Sequence, residues 1–225
     1  MMTMETKTMT VSGKSGIIND FFTEVELTPV LKYFINMPQA AGFAYGAGIN
    51  EDHLMYKWFV KKVFAKIQET FGKHVQLATV NYVNEHVPVN LHSDYYHSYR
   101  DIGTPHLAML IPITVNDSED FSNPVHTIIF NEEDACIDKV RGLSWNKRKW
   151  EETRTRKENN AVQYKDAHLS HINNYDLECL TVQGIFEWKF GSLIYWDERL
   201  LHTSDNFTKN NIKSKQALVL HTYVL

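Results

Sequence analysis

Apolar residues in the first third of the chain recur at helical spacing. In residues 51–71 they fall near a 3.6-residue period with lysines largely opposite, which predicts an amphipathic helix ending at Gly72. Residues 17–36, with Pro29 inside them, predict one or two short helices. Residues 42–50 are glycine-rich and predict a loop. Residues 1–15 are polar, and we expect a flexible N-terminus there.

After Gly72 the pattern changes to short β-rich runs separated by turn residues. Pro112 within one of them predicts a bend or an edge position. Many short strands of this kind indicate a sandwich or a barrel. We therefore expect one mainly β (α+β) domain over residues 16–225, with the N-terminal helices packed on one side. The runs are residues 75–83, 87–92, 106–115, 124–130, 180–190, 192–196 and 217–224.

A polar segment at about residues 141–166 interrupts the strand pattern. It holds eight Lys/Arg and four Asp/Glu, which is a local excess of four positive charges. We expect a helical or mobile insertion between strands. Such an insertion is either a solvated excursion or a lid or binding loop.

Composition and charge narrow the class of protein. With 225 residues, of which 43% are hydrophobic, the chain is large enough for one substantial core. A net charge of −4 gives no general attraction to nucleic acids or to anionic membranes. Cys136 and Cys179 suggest no disulfide framework, and the sequence shows neither a secretory signal nor a long apolar stretch. We expect a soluble, cytoplasmic protein.

Two histidines and one aspartate carry the candidate chemistry. His92 and Asp94 form a His-x-Asp pair, and residues i and i+2 of an extended strand point to the same side, where both could bind one ion. His202 follows a predicted strand and could supply a third ligand. Two histidines and a carboxylate are the ligand set that holds non-haem Fe(II) with positions open for oxygen and substrate. Lys215, thirteen residues after His202, opens the last predicted strand, and an antiparallel return would bring its ammonium near the metal.

These motifs resemble those of the Fe(II)- and 2-oxoglutarate-dependent dioxygenases with a double-stranded β-helix core, in particular the phytanoyl-CoA hydroxylase and prolyl hydroxylase branches. The resembling runs are residues 81–95, 191–206 and 215–221. The resemblance implies a jelly-roll, cupin-like fold that uses Fe(II), 2-oxoglutarate and O2, with ascorbate as an accessory reductant. It also implies hydroxylation of a C–H bond in a small-molecule or peptidyl substrate, with release of succinate and CO2.

The same resemblance assigns roles to individual residues. It makes His92, Asp94 and His202 the iron ligands, and Lys215 the residue that pairs with the C5 carboxylate of 2-oxoglutarate. Many relatives carry arginine in that role, whose planar fork binds a carboxylate at two points, whereas lysine is a point charge. Lys213 has the same strand parity and is the rival to Lys215.

Two more residues are candidates for holding the cosubstrate. Tyr82 resembles a tyrosine whose hydroxyl often contacts it, although a half-buried strand tyrosine fits equally well. Ser204 lies close enough after His202 to reach the carboxylate. The remaining histidines are expected to hydrogen-bond within the fold, to face water or to line the substrate pocket.

Two other classes of function stay open on the residues alone. A cupin-like module, with or without a metal, could keep the barrel without oxidative turnover. An interaction protein could use the basic insertion to hold an acidic partner or nucleic acid. Such binding would be sensitive to salt and would fall when Lys147, Arg148 and Lys149 are neutralised.

Overall fold

The computed structural model describes residues 14–34, 45–48, 60–94, 104–116, 124–133, 137–138, 144–145 and 157–224. Within these ranges the chain is mostly β, with antiparallel pairing, as the strand pattern predicts. The strands are β1 (Ser15–Ile18), β2 (Tyr45–Gly48), β3 (Val75–Glu85), β4 (Thr104–Val115), β5 (His126–Glu133), β6 (Ile137–Asp138), β7 (Ser144–Trp145), β8 (Val182–Glu187), β9 (Leu193–Asp197), β10 (Leu200–Ser204) and β11 (Lys215–Val224).

The strands form two principal sheets. The larger has the order β1-β9-β4-β11-β3-β2 and the smaller the order β10-β5-β8, while β6 pairs with β7. Side chains of both sheets meet in one apolar cluster, which includes Leu110, Ile129, Trp196 and Ala217. The core therefore lies between the sheets, and residues that alternate along each strand point either into this core or to an outer layer.

Helices cover the outer face of the larger sheet. They are α1 (Glu24–Phe34), a π-helical turn (Val60–Phe64) and α2 (Ala65–Phe71). Leu27 and Ile67 pack with Leu218 and Leu220, which point outward from β11. This is the predicted helical layer.

The predicted helix ends and breaks are largely observed. At Gly72 the backbone has a φ of 108°, which suits glycine, and its N–H caps the helix on the carbonyl of Gln68 at 3.0 Å. Residues 51–59 of the predicted helix lie outside the described residues. Pro112 lies beyond the part of β4 that pairs with β9, and next to it the register of β4 against β11 shifts. The missing N–H of the proline therefore removes no hydrogen bond between β4 and β9.

Two sequence-based predictions near the N-terminus are wrong. Residues 17 and 18, predicted to begin a helix, belong to the edge strand β1, which pairs with β9. Residues 45–48, predicted to lie in a loop, form the edge strand β2, which pairs with β3. Both strands are short, and their hydrogen bonds come from a distant partner. Local apolar spacing does not reveal such pairing.

The outer face of the smaller sheet is covered by residues 161–180, a segment that includes the end of the predicted insertion. This segment contains a 3-10 turn (Ala161–Tyr164) and α3 (Asn174–Leu177). Leu169 and Leu177 pack there with Ile128 and Phe130 of β5. The structure describes residues 144–145 and 157–166 of the predicted insertion. It describes only residues 14 and 15 of the predicted flexible N-terminus. Among the described helices none is both long enough and apolar enough to cross a bilayer.

Candidate metal centre and its cavity

The three predicted metal ligands meet at one point. His202 lies on β10, and His92 faces it in an isolated bridge in which each amide donates to the other residue's carbonyl, at 3.0 Å from His92 and 2.8 Å from His202. The amide of Asp94 donates to the carbonyl of Glu198 at 3.1 Å. Main-chain hydrogen bonds therefore bring together residues that are far apart in the sequence.

The segment that carries His92 is not a strand, and the strand prediction for residues 87–92 is wrong. Pro88 has no N–H to donate. Side chains of β10 hold the segment instead: the N–H of Val89 donates to Ser204 Oγ at 2.8 Å, and its carbonyl accepts from Thr203 Oγ1 at 2.6 Å. His92 and Asp94 reach the same point without the alternation of a regular strand.

The ligand atoms lie close to the separations that a metal ion requires. His202 Nε2 is 3.3 Å from Asp94 Oδ2, and His92 Nε2 is 3.8 Å from Asp94 Oδ1. Bonds of about 2.1 Å to an octahedral ion place adjacent ligand atoms about 3 Å apart. Small side-chain rotations would therefore close the three ligands on one ion.

Hydrogen bonds orient both imidazoles for metal binding. His92 Nδ1 lies 2.7 Å from the carbonyl of Asn90, and His202 Nδ1 lies 3.2 Å from that of Leu200. An Nδ1–H that donates to a carbonyl leaves the lone pair on Nε2, the atom nearest Asp94 in each ring. Asp94 Oδ2 is buried without a hydrogen-bond donor. A buried carboxylate oxygen without a donor is costly unless a cation meets it, so the residues fit a divalent metal.

The electrostatics of the triad also favour the metal-binding protonation states. Burial, only partly offset by the charge on Asp94, lowers the pKa of His202 to about 4. Burial opposes ionisation of Asp94, but His202, His221 and His92 outweigh it and lower the pKa of this carboxyl. At neutral pH the site therefore offers a neutral imidazole at His202 and a carboxylate at Asp94.

The triad opens into a cavity of about 250 Å³ between the two sheets. Apolar side chains of the larger sheet, including Leu110, Val219 and Trp196, form part of its wall, and the smaller sheet contributes polar side chains such as Thr127 and Ser204. Lys215 lies in the same cavity and is only 2% exposed. A cation and a metal-ligand set therefore share one cavity.

Lys215 is held by a carboxylate and by aromatic rings. Its Nζ lies 2.7 Å from Glu85 Oε2, and 4.2 Å and 5.3 Å from the ring centroids of Trp188 and Phe207. Glu85 is the direct register partner of Lys215 in the pairing of β3 with β11. The ammonium is thus fixed and charge-balanced by this chain's own groups.

The structure brings some of the predicted cosubstrate residues to the cavity and leaves others out. Ser204 lines it together with Lys215. Lys213 precedes β11 and is exposed. Tyr82 lies on the opposite face of β3, in the core under the helices. Neither Tyr82 nor Lys213 is among the described residues that line the cavity, and the burial of Tyr82 favours the alternative of a structural strand tyrosine.

Sequence reasoning missed several residues that line the cavity. Asn81 and Glu85 share the inward face of β3 with Val83, and the two-residue period of that strand was the signal that could have found them. His221 also lines the cavity, with its Nδ1 3.6 Å from Oε1 of Glu198. Burial raises the pKa of Glu198 above its ordinary value.

Comparison with solved structures identifies the fold. No protein-family model and no curated protein sequence matches this chain. The non-haem α-ketoglutarate-dependent epimerase SnoN from nogalamycin biosynthesis has a TM-score of 0.54 at 8% identity, over 94% of this chain and 78% of that chain. HygX from Streptomyces hygroscopicus, solved with nickel and 2-oxoglutarate, has a TM-score of 0.53 at 10% identity, over 94% and 83%.

A third neighbour agrees with these two. EctD from S. alaskensis, solved in its apo form, has a TM-score of 0.52 at 12% identity, over 94% of this chain and 73% of that chain. At these identities the likeness is one of fold. It confirms the predicted double-stranded β-helix, which this chain shares with 2-oxoglutarate-dependent oxygenases.

Proposed function

We propose that the protein is an Fe(II)- and 2-oxoglutarate-dependent dioxygenase that hydroxylates a C–H bond of a small molecule. The observation that carries the proposal is the meeting of His92, Asp94 and His202 with the buried Lys215 in one cavity. The fold supports it, since HygX and SnoN were solved with a metal ion and 2-oxoglutarate (α-ketoglutarate). The resemblance to the phytanoyl-CoA and prolyl hydroxylase branches, and the cytoplasmic location, stay predictions.

The triad would hold Fe(II) through three ligands on one side. When bound, the metal with 2-oxoglutarate and O2 supplies an oxidant for C–H bonds, so that substrate, 2-oxoglutarate and O2 give hydroxylated substrate, succinate and CO2. The carbonyls of Asn90 and Leu200 fix the two imidazole rings, and this second layer of contacts sets the direction of the ligand atoms.

Lys215 would bind the distal carboxylate of the cosubstrate, with Ser204 beside it. Because Trp188 and Phe207 flank the ammonium and exclude water from it, a charge-assisted hydrogen bond there is stronger than in solution. Glu85 would have to give up its contact with the ammonium, since two carboxylates on one buried cation leave a net negative charge in the core. Cosubstrate binding is therefore a carboxylate exchange on Lys215.

The proposed class of substrate is a small molecule. The cavity of about 250 Å³ lies between the sheets, and the space left beside the cosubstrate would suit only a compact ligand. Among the structural neighbours, SnoN was solved with nogalamycin RO and HygX with hygromycin B. Apolar walls at Leu110 and Val219 would exclude water from the substrate and so protect the reaction from side products.

The test is succinate release from 2-oxoglutarate by the purified protein with Fe(II), ascorbate and air. We expect slow uncoupled turnover without substrate, abolished in Asp94→Ala and preserved in the matched control Asp166→Ala, which removes an exposed aspartate outside the cavity. Turnover that is equal in wild type and Asp94→Ala would refute the proposal. Fe(II) and 2-oxoglutarate binding without any turnover would favour the cupin-like module.

A further inference from the structure

A second group of two histidines and an aspartate lies outside the cavity. His126 begins β5, Asp205 directly follows β10, and His168 belongs to the segment that covers the smaller sheet. One ligand atom from each lies within 4.8 Å of the others. Both histidines were expected only to hydrogen-bond within the fold or to face water. The proposed oxygenase chemistry uses none of the three residues.

Main-chain hydrogen bonds hold this second group together. The amide of Asp205 donates to the carbonyl of His126 at 3.0 Å, and the next amide, of Asn206, donates to the carbonyl of His168 at 2.8 Å. The amide of His126 in turn donates to Asp205 Oδ2 at 3.0 Å. Three distant segments are thereby held together, and Asp205 Oδ1 takes no part in these bonds.

The donor atoms have the character of a metal site. Asp205 is 2% exposed, and while its Oδ2 lies 2.9 Å from His126 Nδ1, its Oδ1 is buried without a hydrogen-bond partner. The rings of His126 and His168 lie edge to face with centroids 4.7 Å apart, and both are half-buried, so an ion has access from solvent. An unmet buried carboxylate oxygen beside two imidazoles is a place where a cation lowers the free energy.

We propose that His126, His168 and Asp205 form a second metal site, separate from the triad, that binds Zn²⁺ with water as the fourth ligand. Imidazole and carboxylate are common zinc ligands, and tetrahedral bonds of about 2.0–2.1 Å place ligand atoms about 3.3 Å apart. His126 Nδ1 and Asp205 Oδ2, 2.9 Å apart, would separate slightly to reach this spacing, and rotation of the half-buried His168 side chain would complete the set.

The bound ion would have a structural role. It would tie the covering segment, through His168, to β5 and to the end of β10, the strand that carries His202. Zinc bound here would therefore raise the stability of the fold without taking part in turnover. This inference does not depend on the oxygenase proposal.

The experiment uses full-length protein with the triad removed by His92→Ala and Asp94→Ala, freed of metal by a chelator and titrated with Zn²⁺ alone. We expect binding of about one equivalent and a rise in Tm, because a ligand that binds only the folded state stabilises it. Adding His168→Gln is expected to abolish both effects. The matched control His74→Gln, which changes an exposed histidine away from both groups, is expected to change neither.

A second variant guards against misfolding. Asp205→Asn keeps the size of the side chain and an acceptor for the His126 amide, and it is also expected to abolish zinc binding while the circular dichroism spectrum stays native. Failure of the triad-free protein to bind Zn²⁺, or binding that is unchanged in His168→Gln and Asp205→Asn, would overturn the inference. Since the triad is absent from every protein tested, either result leaves the oxygenase proposal to its own test.

Discussion

Lys215 and Glu85 face each other across the antiparallel pair of β11 and β3, with Nζ and Oε2 2.7 Å apart. The lysine is almost fully buried and lies inside the cavity that holds the triad. Truncating one partner of a buried ion pair leaves an uncompensated charge, whereas exchanging one carboxylate for another does not. Any carboxylate ligand that binds Lys215 must therefore compete with the carboxylate of Glu85.

Glu85→Gln is expected to tighten 2-oxoglutarate binding. The substitution removes the carboxylate that competes for the ammonium and keeps the shape of the side chain, so Kd is expected to fall by about tenfold, or ~1.4 kcal/mol. Calorimetry with metal-loaded protein measures it. Glu133→Gln, at an acid whose ion pair with Lys14 lies outside the cavity, is the matched control and is expected to leave Kd unchanged. An equal or weaker affinity in Glu85→Gln would show that Glu85 does not compete.

Lys215→Met is expected to lower 2-oxoglutarate affinity by about a hundredfold or more, since it removes the buried charge that meets the distal carboxylate. It also leaves Glu85 unpaired, which costs about 3–5 kcal/mol of stability. The double variant Glu85→Gln with Lys215→Met is expected to regain stability in chemical unfolding but not cosubstrate affinity. Recovery of 2-oxoglutarate affinity in the double variant would contradict the role of Lys215. The matched control is Lys213→Met, at an exposed lysine outside the cavity, and it is expected to leave Kd unchanged.

Tyr82→Phe is expected to leave the 2-oxoglutarate Kd unchanged, because Tyr82 faces the helical layer and not the cavity. Ser204→Ala is expected to raise Kd severalfold, through the loss of a hydroxyl in the cavity and of the contact that positions Val89. The two variants are compared by the same calorimetric titration. A large rise in Kd for Tyr82→Phe, with no change for Ser204→Ala, would contradict the view that Ser204 and not Tyr82 contacts the cosubstrate.

The metal-ligand motif could be recognised from residue types, whereas the other residues of the cavity depend on how the strands pair. His92, Asp94 and His202 were found because their ligand chemistry is visible in the residue types. The two-residue period of β3 could have placed Glu85 on the inward face, but its contact with Lys215 depends on the register between two strands, which local sequence does not encode. Tyr82 was assigned from the resemblance alone, and its side chain packs under the helices, on the face of β3 opposite to Asn81, Val83 and Glu85.

Glu26→Gln tests the attachment of α1. Thr23 and Glu26 form a capping box, with the Thr23 amide donating to Glu26 Oε2 at 2.8 Å, and Lys66 lies 3.1 Å from the same carboxylate. Burial opposes ionisation, but the Thr23 hydrogen bonds and the Lys66 charge outweigh it and lower the pKa of Glu26 below its ordinary value of 4.5.

Because glutamine can keep the capping bonds, the variant removes only the charge. We expect a loss of about 0.5 kcal/mol at neutral pH, in line with a partly exposed ion pair. A lowered pKa in the folded state stabilises above the ordinary pKa, so the difference between Glu26→Gln and wild type should shrink as the pH falls below 4.5. Urea unfolding at several pH values measures this, and a difference that grows on acidification would contradict it.

The most direct test of the central claim is 2-oxoglutarate binding measured by calorimetry without oxygen, with and without Fe(II), in wild type and in His202→Ala. If the triad and Lys215 form one site, wild type binds about one equivalent of 2-oxoglutarate, far more tightly with Fe(II) than without it. His202→Ala is expected to lose this dependence on metal, because the ion is no longer held. Binding of 2-oxoglutarate that is equally strong with and without Fe(II) in wild type would contradict the account.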